Sequence, residues 1–130
     1  MRKARGSVLV EAALVTPLWI LITMGALEGG RLLFDYNLLL SAVSEGARLA
    51  ATTPSLILDD PTVSNRIQER LRAGGLRARS VTIAFVEPLQ NSRPISVRAT
   101  VDFQPLIAAA WPSGGPRLPL ETEITTRYEL

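Results

Sequence analysis

Residues 8–27, VLVEAALVTPLWILITMGAL, form a long apolar run in which Glu11 is the single ionisable side chain. As an α-helix this run would reach about 30 Å, enough to cross the hydrocarbon core of a bilayer. Arg2, Lys3 and Arg5 precede it without an acidic neighbour, and such a bias favours a cytoplasmic N-terminus. We therefore predict one membrane-spanning helix, with residues from about Glu28 outside the cytoplasm.

A cleaved secretory signal peptide is the alternative interpretation of the same run. Such a signal needs an apolar core of about 7 to 15 residues, followed by a cleavage site with small residues. The run here is longer, and Glu11 interrupts the place where that core would begin. The pattern favours an anchor that is kept.

Composition excludes several classes of function. Outside the first six residues, 11 arginines face 12 acidic residues, so the body of the chain is not basic and gives little support for nucleic-acid binding. The chain has no Cys and no His, which excludes a disulfide, a thiolate nucleophile, an imidazole base and the usual zinc sites. We predict no cofactor, no metal and no small-molecule substrate.

Beyond the apolar run, apolar residues recur at helical spacing from Leu32 to Ala50, which predicts that the first helix continues to about Thr52. Pro54 then ends it. A second helix is indicated by Asp60 as N-cap, Pro61 at the first position and a Gly74-Gly75 stop. Its predicted buried face consists of Val63, Ile67 and Leu71.

After Gly75 the apolar period changes to two, which is typical of half-buried antiparallel strands. Three segments qualify: 81–85, 95–103 and 120–128, with a turn at 87–93 between the first two. We predict an α+β fold in which a three-stranded antiparallel sheet packs its apolar face on the outer half of the first helix. Trp111, in the long connection before the last strand, is interpreted as a plug over the core or as a partner contact.

The N-terminal half resembles a known family. A short basic leader ending in Gly6, with Glu11 five residues later and a long apolar helix, is similar to the class III signal of type IV pilins and pseudopilins. More specifically, RGSVLVEAALVTPLWILITMGALEGGRLLF (5–34) and SEGARLAA (44–51) resemble TadE-like proteins, minor pilins or pseudopilins of tight-adherence (Tad, or Flp) pilus systems. The resemblance is carried by Gly6, Glu11, Ala12, Leu14, Pro17, Gly25, Glu28, Gly29 and the segment 45–48.

The resemblance implies that a prepilin peptidase cuts after Gly6, leaving Ser7 as the new N-terminus. It also implies that Glu11 takes part in subunit packing or recruitment. Ser7 replaces the phenylalanine common in major pilins, and the chain is much longer than major Flp pilins, so the resemblance favours a pilin-like minor subunit. The expected organisation is a leader at 1–6, a long helix at 7–53 and a periplasmic αβ head at 54–130.

Further candidate residues lie in the apolar helix. Pro17 is either a functional kink or a tolerated membrane proline. Gly25 and Gly29 have the GxxxG spacing that lets two helices approach, although small residues are also common in membrane helices.

Three more candidates lie in the outer helix. Glu45 and Arg48 are spaced to form a surface ion pair. Gly46 permits a close approach, by which this segment would dock on the sheet or on a neighbour.

Asp59-Asp60 has the chemistry of a cation site, but the N-cap role explains Asp60 more simply.

Three functions are compatible with the sequence. The first is a non-enzymatic pilus component, with the prepilin peptidase, other Tad subunits, inner-membrane platform proteins and the lipid bilayer as partners. The second is an unprocessed, signal-anchored scaffold of a secretion or transport complex in the inner membrane. The third, a periplasmic enzyme on a membrane stalk, depends on paired carboxylates such as Glu121 and Glu123, whose strand face is expected to be solvated.

Overall fold

A computed structural model describes residues 3–52, 61–85, 93–109, 113 and 115–128. Its elements, in chain order, are α1 (Lys3–Thr52), α2 (Pro61–Ala73), β1 (Ala78–Phe85), β2 (Arg93–Phe103), α3 (Leu106–Ala109) and β3 (Leu118–Tyr128). The long helix α1, the shorter helix α2 and the three-stranded sheet confirm the α+β prediction. The chain divides into two compact units, Met1–Leu33 and Phe34–Leu130, and the division falls within α1.

Helix α1 begins at Lys3, four residues before the predicted start at Ser7, and contains Pro17 in its interior. Two threonines of the apolar run satisfy their hydroxyl groups within the helix. Thr16 Oγ1 donates to the carbonyl oxygen of Ala12 at 2.7 Å, and Thr23 Oγ1 donates to that of Trp19 at 2.8 Å. These bonds need no water, which suits an apolar environment.

Helix α2 buries Val63, Ile67 and Leu71, as its spacing predicted. Its C-terminus is a Schellman motif: Leu76 N–H donates to Leu71 C=O at 2.9 Å, and Gly75 N–H donates to Arg72 C=O at 3.0 Å. Gly75 has a φ of 85°, a left-handed conformation that favours glycine, so the predicted glycine stop is confirmed. The predicted N-cap, Asp60, lies outside the described residues, as do Pro54 and Asp59.

The sheet has the order β1-β2-β3, and both pairs are antiparallel. The alternation expected in the central strand is confirmed, since Ile95, Val97, Ala99, Val101 and Phe103 are all buried. Each strand begins two or three residues before its predicted start, because flanking residues such as Ala78, Arg93 and Leu118 also pair with the neighbouring strand. The rest of the predicted turn before Arg93 lies outside the described residues.

One hydrophobic core joins the C-terminal part of α1 to α2 and the sheet. Leu39, Val43 and Ala47 of α1 are buried together with the apolar face of α2 and with Val97 and Val101 of β2. The predicted cover for the apolar face of the sheet is therefore present, and α2 supplies part of it.

The four-residue helix α3 was not predicted. It lies in the connection before β3, where Ala108 is buried and Gly115 has a φ of 62°. A Cβ atom at Gly115 would come within 2.6 Å of Ala108 Cα, so only glycine permits this contact. Trp111 lies outside the described residues, and its two interpretations stay predictions.

Candidate processing and assembly site

The predicted cleavage site lies near the start of α1. Gly6 and Ser7 are both exposed, and a Cβ atom at Gly6 would meet nothing within 4 Å. The site is therefore sterically open, but both residues are helical. An approaching protein would contact them without displacing another part of the described chain.

Glu11 lies one helical turn from Ser7 on the same side of α1, and its side chain is exposed. Its surroundings are apolar, because Val8, Val10 and Leu14 are also largely exposed on the same helix. Among the side chains that the structure describes, none pairs with the Glu11 carboxylate. A carboxylate at the edge of an apolar run calls for a partner supplied by another group.

The apolar run is an exposed helix, not the core of a soluble domain. Leu14 is 72% exposed and Trp19 is 65% exposed. In the part of the chain that the structure describes, one helix, over residues Gly6–Thr52, is long and apolar enough to cross a membrane. These features fit a single-pass membrane protein.

Pro17, Gly25 and Gly29 lie within this exposed segment. Pro17 has no N–H to donate to the carbonyl of Ala13, one turn earlier. A Cβ atom at Gly25 or Gly29 would meet nothing within 4 Å, so no described residue fills the space beside them. Both glycines leave a flat surface that another helix can approach closely.

Glu45 reaches across to α2. Its carboxylate accepts a hydrogen bond from Arg66 Nε at 2.9 Å and lies 3.6 Å from Arg70 Nε. The hydrogen bond to Glu45 and its negative charge, helped by Glu69, raise the pKa of the Arg66 guanidinium. Sequence spacing suggested Arg48 as the partner of Glu45, and the partners from α2 were missed because they become neighbours only when the two helices pack.

Gly46 and Arg48 occupy different sides of α1. Gly46 is buried against α2, where a Cβ atom would come within 2.5 Å of Ile67 Cδ1, so the close approach is made to α2 and not to the sheet. Arg48 is exposed and lines an open groove of about 580 Å³ together with Ser44 and Arg66.

The paired carboxylates considered for an enzyme lie on the exposed face of the sheet. Arg98 of β2 forms ion pairs with Glu121 at 2.9 Å and with Glu123 at 2.6 Å, both on β3. The hydrogen bond from Arg98 and its positive charge lower the pKa of Glu123. A general acid needs the opposite shift, so Glu123 lacks the electrostatics of an acid catalyst. Within the described residues, no group of three or more acidic side chains is placed to hold a metal.

Comparison with known proteins finds one family that the N-terminal segment resembles. Residues 6–48 match the family model described as TadE-like protein. This segment is similar to TadE-like proteins. It covers about a third of the chain and contains every candidate residue named above for processing or assembly, from Gly6 to Arg48. The TadE-like family belongs to Tad pilus systems and is structural, so the resemblance inferred from the sequence is confirmed for this segment.

No curated protein and no solved structure matches the chain. The sheet and α2 lie beyond the matched TadE-like segment.

Proposed function

We propose that this protein is a non-enzymatic minor pilin or pseudopilin that is needed to assemble a Tad-type pilus used in surface adhesion. The observation that carries the proposal is the TadE-like match over residues 6–48, which includes Gly6, Glu11 and the exposed apolar helix. In this proposal α1 anchors the protein in the inner membrane with its N-terminus in the cytoplasm. Residues 54–130 form the periplasmic head.

We propose further that a prepilin peptidase cuts the chain between Gly6 and Ser7. The exposed surface at Gly6 supports access of a peptidase, because a Cβ atom there would meet nothing within 4 Å. A residue larger than glycine would place its side chain immediately before the bond that is cut. The test is the intact mass and N-terminal sequence of the protein from its native membrane, with and without active peptidase. We expect a chain beginning at Ser7 only when the peptidase is active.

Two variants sharpen this test. Gly6→Leu should accumulate as the uncut form, because the peptidase requires a small residue before the cut. Ser7→Ala, which leaves that residue unchanged, is the matched control and should still be cut. Uncut wild-type protein in the presence of active peptidase would contradict the proposal.

Glu11 is proposed to pair with a positive group of a neighbouring subunit or with the new N-terminus at Ser7. Glu11→Ala should abolish most piliation while leaving membrane insertion intact, since loss of the acid makes the run more apolar. The readouts are pilus counts by electron microscopy and the membrane-bound amount of the protein. Glu11→Asp, which keeps the charge, is the control, and full piliation by Glu11→Ala would contradict the role.

The continuous helix through Gly6 and Ser7 favours the second candidate, an unprocessed inner-membrane scaffold. Gly6 and Ser7 are exposed, but the peptide bond between them lies in a hydrogen-bonded helix that must open locally before the bond can be cut. A chain that keeps residues 1–6 in the presence of active peptidase would favour the scaffold.

A further inference from the structure

Helix α2 runs antiparallel to the C-terminal part of α1. Ile67 packs against Gly46, and a Cβ atom at Gly74, farther along α2, would overlap Leu38 Cδ2, farther back along α1. The turn after α2 therefore lies beside Leu38, which follows the last residue of the apolar run by 11 residues. Within the unit Phe34–Leu130, this turn marks the end at which the chain arrives from the apolar run.

The register of the sheet brings further segments to the same end. β1 begins at Ala78, directly after the turn, and its partner β2 ends at Phe103. β3 begins at Leu118, which pairs with Phe103, and α3 begins at Leu106, just after β2. We call this region the basal end; its residues are 72–80, 103–106 and 117–119.

The basal end is positively charged, and the residues that compose it include no acid. Its arginines are Arg72, Arg77, Arg79 and Arg117. Arg79 pairs with Asp102 of β2 at 3.2 Å. Within the described part of the chain, the other three arginines form no ion pair, and Arg72, Arg77 and Arg117 are all exposed.

The acids nearest to the basal end do not cancel this charge. Glu69, one turn before Arg72 on α2, pairs with Arg66. Asp35, one turn before Leu38 on α1, is half-buried. Even with Asp35 counted against the three arginines, an excess of two positive charges remains at the basal end.

The basal end also exposes large apolar side chains. Outside α1, the exposed large apolar side chains of the described residues are Leu106 and Leu118, and each is 48% exposed. Both belong to the basal end, one at the start of α3 and the other at the start of β3. Exposed leucines beside arginines are typical of a surface that lies at the boundary between lipid headgroups and acyl chains.

We propose that the basal end binds the surface of the membrane in which α1 is anchored, and that it recognises acidic phospholipids. Leu106 and Leu118 enter the headgroup region of the bilayer. Arg72, Arg77 and Arg117 bind the phosphate groups of the lipids. A lipid surface is the favoured partner because the basal end is the end of its unit that the chain reaches directly from the apolar run. The proposal rests on the proposed anchoring by α1 and not on cleavage after Gly6.

The test uses the absence of cysteine from the chain, which makes any introduced thiol unique. Ser113→Cys places a thiol in the exposed connection between α3 and β3, and leaves the proposed contact residues intact. Thr125→Cys is the matched control, because it is exposed on β3 and lies about 23 Å from Leu118 along the strand.

Each full-length variant is labelled with the fluorophore nitrobenzoxadiazole and reconstituted into vesicles of phosphatidylcholine with or without phosphatidylglycerol. A spin-labelled lipid in the vesicles quenches fluorophores that lie at the membrane surface. With phosphatidylglycerol present, we expect quenching at position 113 to exceed that at position 125 by at least about threefold.

A second arm tests the arginines. In the Ser113→Cys background, Arg77→Gln with Arg117→Gln should lower the quenching at least about threefold, because each arginine near an acidic surface contributes to its binding. Arg48→Gln with Arg66→Gln removes the same charge from the groove between α1 and α2, and it should leave the quenching unchanged. Equal quenching in the two double variants would overturn the role of the basal arginines.

Thr16→Cys, in the apolar run, reports the insertion of α1 in the same vesicles. Quenching at position 16 with equally weak quenching at 113 and 125 would overturn the basal contact and leave the anchor intact. Weak quenching at position 16 would overturn both. Quenching at position 113 that does not depend on phosphatidylglycerol would overturn the recognition of acidic lipid.

Discussion

Gly46 sets the spacing between α1 and α2 by having no side chain. The space that its Cβ would need is taken by Ile67 Cδ1 and Cγ1, at 2.5 and 2.6 Å from the ideal Cβ position. Ile67 is fully buried and has little freedom to move aside. Glycine is a poor helix former, so its presence within a long helix calls for a packing reason, and this contact supplies one.

Gly46→Ala should therefore destabilise the protein. Overpacking costs about 1 to 3 kcal/mol, while the better helix propensity of alanine returns at most about 1 kcal/mol. We expect a net loss of about 1 kcal/mol in the free energy of unfolding, measured by circular dichroism of the full chain in detergent with increasing denaturant. Gly30→Ala, where a Cβ meets nothing within 4 Å, is the control and should lose no stability. Equal stabilities of the two variants would refute the steric role of Gly46.

At the scale of elements, β2 and β3 are joined by a polar contact on their exposed face as well as by the core. The register places Arg98 directly opposite Glu123, and Arg98 also reaches Glu121, two residues away on the same face. Cross-strand pairs of opposite charge favour one register over slipped alternatives. The contact of Arg98 with Glu121 and Glu123 therefore favours the same register of β2 and β3 as the burial of apolar residues on the opposite face.

This contact predicts a pH dependence. Because Arg98 lowers the pKa of Glu123 in the folded protein, the pair stabilises the fold above the usual pKa of a glutamate. That stability is lost as the pH falls through the lowered pKa of the folded state. In Glu123→Gln the loss of stability between neutral and acidic pH should be smaller than in the wild type.

The measurement is the thermal midpoint of unfolding of the full chain in detergent at several pH values and two salt concentrations. The control is the same substitution in an Arg98→Gln background, where Glu123→Gln should change the pH profile little because the partner of Glu123 is already absent. Salt should reduce the difference from the wild type, because the pair is exposed. Superimposable profiles of wild type and Glu123→Gln would count against the contact.

At the scale of the whole molecule, the chain consists of two units with different surfaces. The unit Met1–Leu33 contains the exposed apolar run, whereas Phe34–Leu130 contains the buried core. Exposed leucine and isoleucine side chains over 20 residues are costly in water and favourable in a bilayer. We therefore expect the first unit to determine membrane retention.

Leu18→Arg combined with Ile22→Arg should release the protein from the membrane. Each arginine near the centre of a span costs about 2.5 to 3.5 kcal/mol on insertion scales. The readout is the fraction of full-length protein that stays in the membrane pellet after alkaline carbonate extraction. Leu33→Arg with Leu40→Arg, two exposed positions outside the apolar run, is the matched control and should stay in the pellet. Retention of the first variant would contradict insertion of this run.

Features that depend on local pattern could be predicted from the order of residues alone. An apolar run of membrane length, a glycine stop after α2 and the period-two alternation of β2 each specify an element through backbone geometry and burial. The motif around Gly6 and Glu11 identified the TadE-like segment for the same reason, because it is contiguous in the chain.

The packing of the fold determines which residues from distant parts of the chain become neighbours. It paired Glu45 with Arg66 and placed Gly46 against Ile67, because the packing of α1 on α2 brings together positions about 20 residues apart. In the described part of the chain it also placed β2 at the centre of the sheet, with β1 and β3 as the two edge strands and a register shift in β1. Alternation in the sequence gives the faces of a strand, but strand order and edge protection follow from how the elements pack.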